Sequence, residues 1–155
     1  MKEYTLHTHI HVPVQIDQAF AFFADAANLA RLTPRELGFA IATPLPIVMA
    51  AGTLIDYTIK LWGIPMRWRT RIAVWEPGVR FVDEQLSGPY AKWVHTHRFA
   101  SANGGTDIDD EVVYALPFGV LGRLAAPLIR LQLARIFRYR ESEVLRLLDE
   151  PSGSA

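Results

Sequence analysis

The chain has 155 residues and a mass of 17.4 kDa; half of the residues are hydrophobic and 21% are charged. That composition excludes a disordered or solvating chain and suffices for one buried core. Sixteen Lys and Arg balance sixteen Asp and Glu, so the basic excess of a nucleic-acid binder is missing, and the absence of cysteine removes disulfides, thiol catalysis and Cys-ligated zinc.

Met1-Lys2-Glu3-Tyr4-Thr5 shows no basic-then-apolar leader pattern, and a cytoplasmic protein is the expectation. Residues 4–12 alternate apolar and polar and predict a half-buried strand ended by Pro13. Asp17 is placed as the cap of a short helix carrying Ala19, Phe20, Phe22, Phe23 and Ala24. A second short helix or turn follows over 28–34, then a short strand over 37–43 and an apolar, proline-broken loop over 44–51. The charge-free run from Leu37 to Ile55 spans 19 residues, the length of a membrane helix. Gly38, Pro44, Pro46 and Gly52 interrupt it, so no integral membrane span is expected. Strands are predicted over 53–61, 66–75, 80–86, 91–102 and 107–116. A helix over 120–148 carries a broad apolar stripe, with Pro127 expected to start or kink it. Residues 1–150 form a single domain in this reading, and the small polar tail 151–155 frays.

Turn chemistry sets the strand register. Asn103-Gly104 is a two-residue hairpin signal. It pairs Phe99 with Ile108, His97 with Asp110, His95 with Val112 and Trp93 with Tyr114, and on the other face Arg98 with Asp109. The turn at Glu76–Val79 sets Val74 against Phe81, Ile72 against Asp83, Thr70 against Gln85, Arg71 beside Glu84 and Trp75 beside Arg80. A turn at Trp62–Pro65 pairs Tyr57 with Thr70 and Asp56 with Arg71. Paired antiparallel residues share a face. The inner face therefore collects Tyr57, Trp68, Phe81, Asp83, Gln85, Trp93, His95, His97, Phe99, Asp110 and Tyr114 among aliphatics. The outer face is nearly all charged and reads as a solvated sheet surface. Unpartnered polar groups cost about 1–3 kcal/mol each in a dry core. The inner polar groups either close into a network or line a cavity holding water or ligand.

The order β, two short helices, six strands and a long helix resembles the START-like superfamily. This is the α+β helix-grip fold shared by polyketide cyclase/dehydrase, Bet v 1-like and lipid-transfer proteins, in which a curved antiparallel sheet of about seven strands wraps a long C-terminal helix. Leu32-Thr33-Pro34, Gly52–Tyr57, Phe81–Gln85, Gly88-Pro89-Tyr90 with Trp93, His95-Thr96-His97 with Phe99, and Tyr114–Gly119 strengthen the match to bacterial members. The resemblance implies a ligand cavity between sheet and helix, and it transfers no catalytic residue.

Three further patterns carry chemistry. His7, His9 and His11 share one strand face about 6.5–7 Å apart, and no neighbouring carboxylate is identifiable. They read as a solvated face, and no metal or cofactor is expected. His97 opposite Asp110, with Asp83 near His95, reads as a buried or ligand-orienting pair, with acid–base chemistry as the alternative. No inner-face nucleophile accompanies it. The arginines at 123, 130, 135, 138, 140 and 146 read as a solvated helix face, with membrane-surface contact as the alternative because Leu and Phe flank them. The expected function is binding of a small hydrophobic or aromatic ligand, such as a lipid, quinone or polyketide-like compound, in the cavity. The alternative is a non-covalent cyclase, dehydratase or isomerase using His97–Asp110 as base and Tyr114 or Tyr57 as proton donor. Oligomeric state lies beyond the sequence.

Overall fold

The computed structural model describes residues 1–149, so the tail 151–155 lies outside the described residues. Strand β1 (Tyr4–Val12) leads into helices α1 (Ile16–Ala24) and α2 (Asn28–Arg31), then a 3-10 turn over Arg35–Leu37. Strands β2 (Ala40–Ile41), β3 (Leu54–Leu61), β4 (Ile64–Glu76), β5 (Arg80–Ser87), β6 (Lys92–Ala102) and β7 (Gly105–Ala115) follow, and α3 (Gly119–Asp149) closes the fold. They form one antiparallel sheet in the order β1-β7-β6-β5-β4-β3-β2. Chain order is kept except that β1 returns to pair with β7.

Two elements differ locally from expectation. The segment predicted as a strand over 37–43 keeps only two ladder residues, because the 3-10 turn consumes its start. Gln15, not Asp17, occupies the α1 N-cap, and Asp17 sits in the first turn, where a carboxylate still complements the helix N-terminus.

The Asn103-Gly104 turn is as expected: both residues have positive φ, and β6–β7 pair in the predicted register throughout. The β3–β4 hairpin is tighter than predicted. Trp62-Gly63 makes a two-residue turn with both φ positive, so Tyr57 pairs with Trp68 and Asp56 with Arg69. The slip is two residues, so every side chain keeps its face. In β4–β5, Ile72–Asp83, Thr70–Gln85 and Arg71–Glu84 pair as predicted, but a bulge between Ile72 and Val74 shifts the rest. Val74 meets Val82 instead of Phe81, and Trp75 meets Phe81 instead of Arg80. The bulge turns Trp75 into the core, where its ring lies 5.1 Å from Phe20 and 5.4 Å from Phe81.

Helix α3 crosses the inner face and buries Gly122, Ala126, Leu133, Phe137, Val144 and Leu148 at alternating spacings of four and seven. Three apolar clusters result. One holds Phe20, Phe23, Phe81, Phe99 and Val144; a second holds Trp68, Tyr90, Trp93, Tyr114 and Phe137; a third holds Ala26, Ile55 and Ile72. The outer face is ion-paired, with Arg69 Nε donating to Asp56 at 2.8 Å and Arg71 bonded to Glu84.

Candidate functional site

The three clusters touch through shared neighbours, Trp75 between the first and third and Tyr57 between the second and third. Where they face one another they leave a cavity of about 160 Å³. Phe23 and Phe81 line it from the first cluster, Trp68, Trp93 and Phe137 from the second, and Ile55 and Ile72 from the third. Helices α1 and α2 contribute Phe22, Asn28 and Leu29, the residues flanking α2 contribute Ala26 and Leu32, and α3 contributes Ile136 and Arg140. A dry cavity of ~150 Å³ accepts a benzene-sized molecule, so one aromatic ring fits without rearrangement.

Seven of the predicted site residues line this space: Tyr57, Trp68, Phe81, Asp83, Trp93, His95 and His97. Four do not. Gln85 clamps the following loop: its Nε2 donates to the Tyr90 carbonyl at 2.7 Å and its Oε1 accepts from the Tyr90 N–H at 3.1 Å. Phe99 is packed against Phe20 and Phe23. Tyr114 stacks on Tyr4 at 5.4 Å, outside the cavity lining, which removes it as proton donor. Asp110 is also absent from the lining and touches both histidines.

The polar groups close diagonally across the ladder. In the backbone register His97 faces Asp110 and His95 faces Asp83, as predicted. The side-chain hydrogen bonds run the other way: His95 Nε2 to Asp110 Oδ1 at 2.9 Å and His97 Nε2 to Asp83 Oδ2 at 2.7 Å. His97 Nδ1 also lies 2.9 Å from Asp110 Oδ1, an ion-pair contact without hydrogen-bond geometry. The two imidazoles stack at 3.7 Å, and His97 lies flat on Phe81 at 4.0 Å.

Burial alone would push His97 down, but the carboxylates of Asp110 and Asp83 outweigh it and hold the imidazole above its ordinary value. Both ring nitrogens facing carboxylates is the geometry of an imidazolium. Burial, then the charge of His97, pushes His95 down. Burial would raise both carboxyls, but the histidines and then Arg140 override it, holding Asp83 below and Asp110 well below the usual range. Two carboxylates held below their ordinary range thus face one imidazole held above its own and one held below, with the Arg140 guanidinium beside them. Burial pushes the Tyr57 hydroxyl up, so it remains a proton-bearing donor.

The sequence does not single out Arg140 and Thr70 as site residues. Arg140 is one arginine in a run that reads as solvent-facing, and only the path of α3 turns it inward, beside Phe23 at 5.4 Å. Asp83, His95 and His97 also offer one ligand atom each within 4.8 Å of one another, the group among the described residues with metal-compatible spacing. The 2.7 Å contact between Asp83 and His97 is shorter than the ~3 Å separating neighbouring ligands of one ion at ~2.1 Å. A cation would have to displace the proton they share.

On the outer face, His7, His9 and His11 are exposed as expected, but carboxylates do adjoin them. Strand β7 presents Asp109, 2.8 Å from His9, and Asp107, 2.7 Å from His11. The Asp109 hydrogen bond raises His9 above its ordinary value. Asp109 is the backbone partner of Arg98 as predicted, and its carboxylate turns to His9.

No protein-family model and no curated protein matches the chain. Solved structures do. The ZhuI aromatase/cyclase from Streptomyces sp. R1128 is 14% identical with a TM-score of 0.78, covering 99% of this chain and 98% of its own. TTHA0849 from Thermus thermophilus is 14% identical with a TM-score of 0.78, covering 97% and 100%. Ara h 8.0201 is 19% identical with a TM-score of 0.61, covering 94% and 99%. With a seven-stranded antiparallel sheet gripping one long helix, the chain shares the helix-grip fold of these structures.

Proposed function

We propose that this protein binds a compact, uncharged aromatic ligand bearing carbonyl or hydroxyl oxygens, such as a quinone or a polyketide-like ring. One observation carries the reading. Trp68 Nε1, Thr70 Oγ1 and Arg140 Nε are buried without a hydrogen-bond partner, and all three residues line the cavity. Native proteins rarely leave buried donors unpaired, because each costs about 1–3 kcal/mol. Ligand acceptor oxygens would satisfy them, while the aromatic walls supply stacking area. The Asp83 carboxylate and the aromatic walls of the cavity disfavour an anionic ligand.

A second reading, a cyclase, dehydratase or isomerase, is favoured by the His95–Asp110 contact and by the aromatase/cyclase among the structural neighbours. Its base differs from the one expected. His97, held by two carboxylates, already bears its proton. His95 donates Nε2–H to Asp110, which leaves Nδ1 as a neutral acceptor at the cavity.

The test compares duroquinone with durene, its carbonyl-free counterpart, by quenching and competition at Trp68 and Trp93. Saturable duroquinone binding that exceeds durene binding and drops in Arg140→Met supports the ligand reading. Equal affinities, or binding by neither, overturn it. Turnover of a ring-forming substrate that is lost in His95→Gln while duroquinone still binds would select the enzyme.

A further inference from the structure

Helix α3 has a second apolar face that the fold does not use. Leu121, Leu124, Leu128 and Leu131 are 71, 73, 60 and 67% exposed, and Phe118 just before the helix is 81% exposed. Their 3-4-3 spacing makes one stripe about 15 Å long at ~1.5 Å per residue. The opposite face of the same helix is already committed to the sheet through Gly122, Ala126, Leu133 and Phe137. A contiguous exposed patch of large aliphatics marks an interaction surface.

Charge identifies the partner. Four arginines and no acidic residue lie between Gly119 and Arg138, in a chain whose total charge is zero. Arg123 lies beside the leucine stripe, Arg130 turns its guanidinium over the Tyr4 ring at 6.0 Å, and Arg135 and Arg138 continue the line toward the C-terminus; all four are exposed. Arg135 pairs with Glu36. Arg123 and Arg138 have no acidic partner among the described residues. Lys2 and exposed Met1 lie beside Phe118 and Arg123 and extend the same mixture of apolar and basic groups. A second copy of the chain would match leucine to leucine but would bring arginines together, and Glu36, the carboxylate that reaches this face, already pairs with Arg135. An anionic bilayer surface satisfies both halves, since the leucines enter the acyl boundary and the arginines meet lipid phosphates.

We propose that the outer face of α3, from Phe118 to Arg138, docks this protein on an anionic lipid surface. The face lies outside the cavity, so the inference stands whatever ligand the cavity takes. No helix among the described residues is long and apolar enough to cross a membrane, and docking here is peripheral.

The experiment is co-sedimentation of the full chain with vesicles of phosphatidylcholine alone and of phosphatidylcholine mixed equally with phosphatidylglycerol, at low and high salt. The expected result is binding to the anionic vesicles at least ~10-fold tighter than to the neutral ones, weakened by salt. Leu124→Glu with Leu128→Glu should abolish it, and Arg123→Glu with Arg138→Glu should weaken it by about 10-fold. These side chains are exposed, so circular dichroism should match the parent. The milder Leu124→Ser, which should weaken binding partially, serves if the double variant misfolds. Absence of binding to anionic vesicles at low salt, or unchanged binding in the leucine variants, overturns the proposal. So does a dimer in solution that Leu124→Glu dissociates while vesicles capture neither form.

Discussion

Replacing Asp110 by asparagine tests the electrostatic account of the cavity directly. Asp110 is 5% exposed and lies 2.9 Å from His95 Nε2 and 2.9 Å from His97 Nδ1. Asparagine keeps the volume and one acceptor oxygen but deletes the charge. The bond from His95 loses its charge assistance, about 1 kcal/mol. The His97 imidazolium loses one of its two counter-charges, about 1.5–3 kcal/mol. The expected loss is about 2.5–4 kcal/mol, at or below the ~3–5 kcal/mol of breaking a buried pair outright, because Asp83 still holds His97. With a urea slope of roughly 2 kcal/mol per molar, the midpoint falls by about 1–2 M. Urea denaturation followed by tryptophan fluorescence at about pH 6 and about pH 9 reads both size and sign. His97 is raised in the folded state, so its contribution is complete below its unfolded value of ~6.5 and is lost as pH rises through the folded value. The gap between parent and variant should therefore narrow on the alkaline side. A loss below about 0.5 kcal/mol, or one that does not narrow, refutes a buried imidazolium between two carboxylates. Duroquinone titration of the same variant separates roles: large destabilisation with unchanged affinity makes the network structural only.

His97→Gln should flatten the alkaline decline in stability seen for the parent, and a decline of unchanged slope assigns it to another group. Asp83→Asn should cost stability above about pH 4 and progressively less as pH falls through the lowered folded value of the parent carboxyl, read by the same urea series. Phe137→Ala, at 5% exposure in the second cluster and against His95, should cost about 3–5 kcal/mol and enlarge the cavity, measured by thermal melting and by a gain in durene uptake. Trp62→Asn should stabilise by up to ~1 kcal/mol, because asparagine tolerates the positive φ of the β3–β4 turn better than tryptophan does. A destabilised variant would show that the exposed indole contributes packing.

Most of the fold and about half of the candidate site are legible in the amino-acid order, and the division has a physical cause. Alternation along β1, the Asn103-Gly104 turn and the 3.6-residue stripe of α3 are local signals. A tight turn with both φ positive leaves one register for the strands it joins, so the facing of His97 and Asp110 follows from two residues of turn chemistry. Face parity survives even the misplaced β3–β4 turn, because a two-residue slip returns each side chain to its own side. The bulge beside Ala73 has no local signature, and Trp75 changes face because of it.

Other features belong to the tertiary structure alone. Which inner-face residues line a void depends on where α1, α2 and α3 come to rest. Tyr114 and Phe99 are packed away by Tyr4 and Phe20, while Arg140, one of several arginines in sequence, is brought into the cavity. The diagonal bonding of His95 to Asp110 and His97 to Asp83 depends on ring rotations that backbone register does not specify. Because those rotations place one imidazole between two carboxylates and the other against one, the packed structure decides which histidine carries charge. Sequence spacing determines that the four groups share a face, and three-dimensional packing determines what each of them can do.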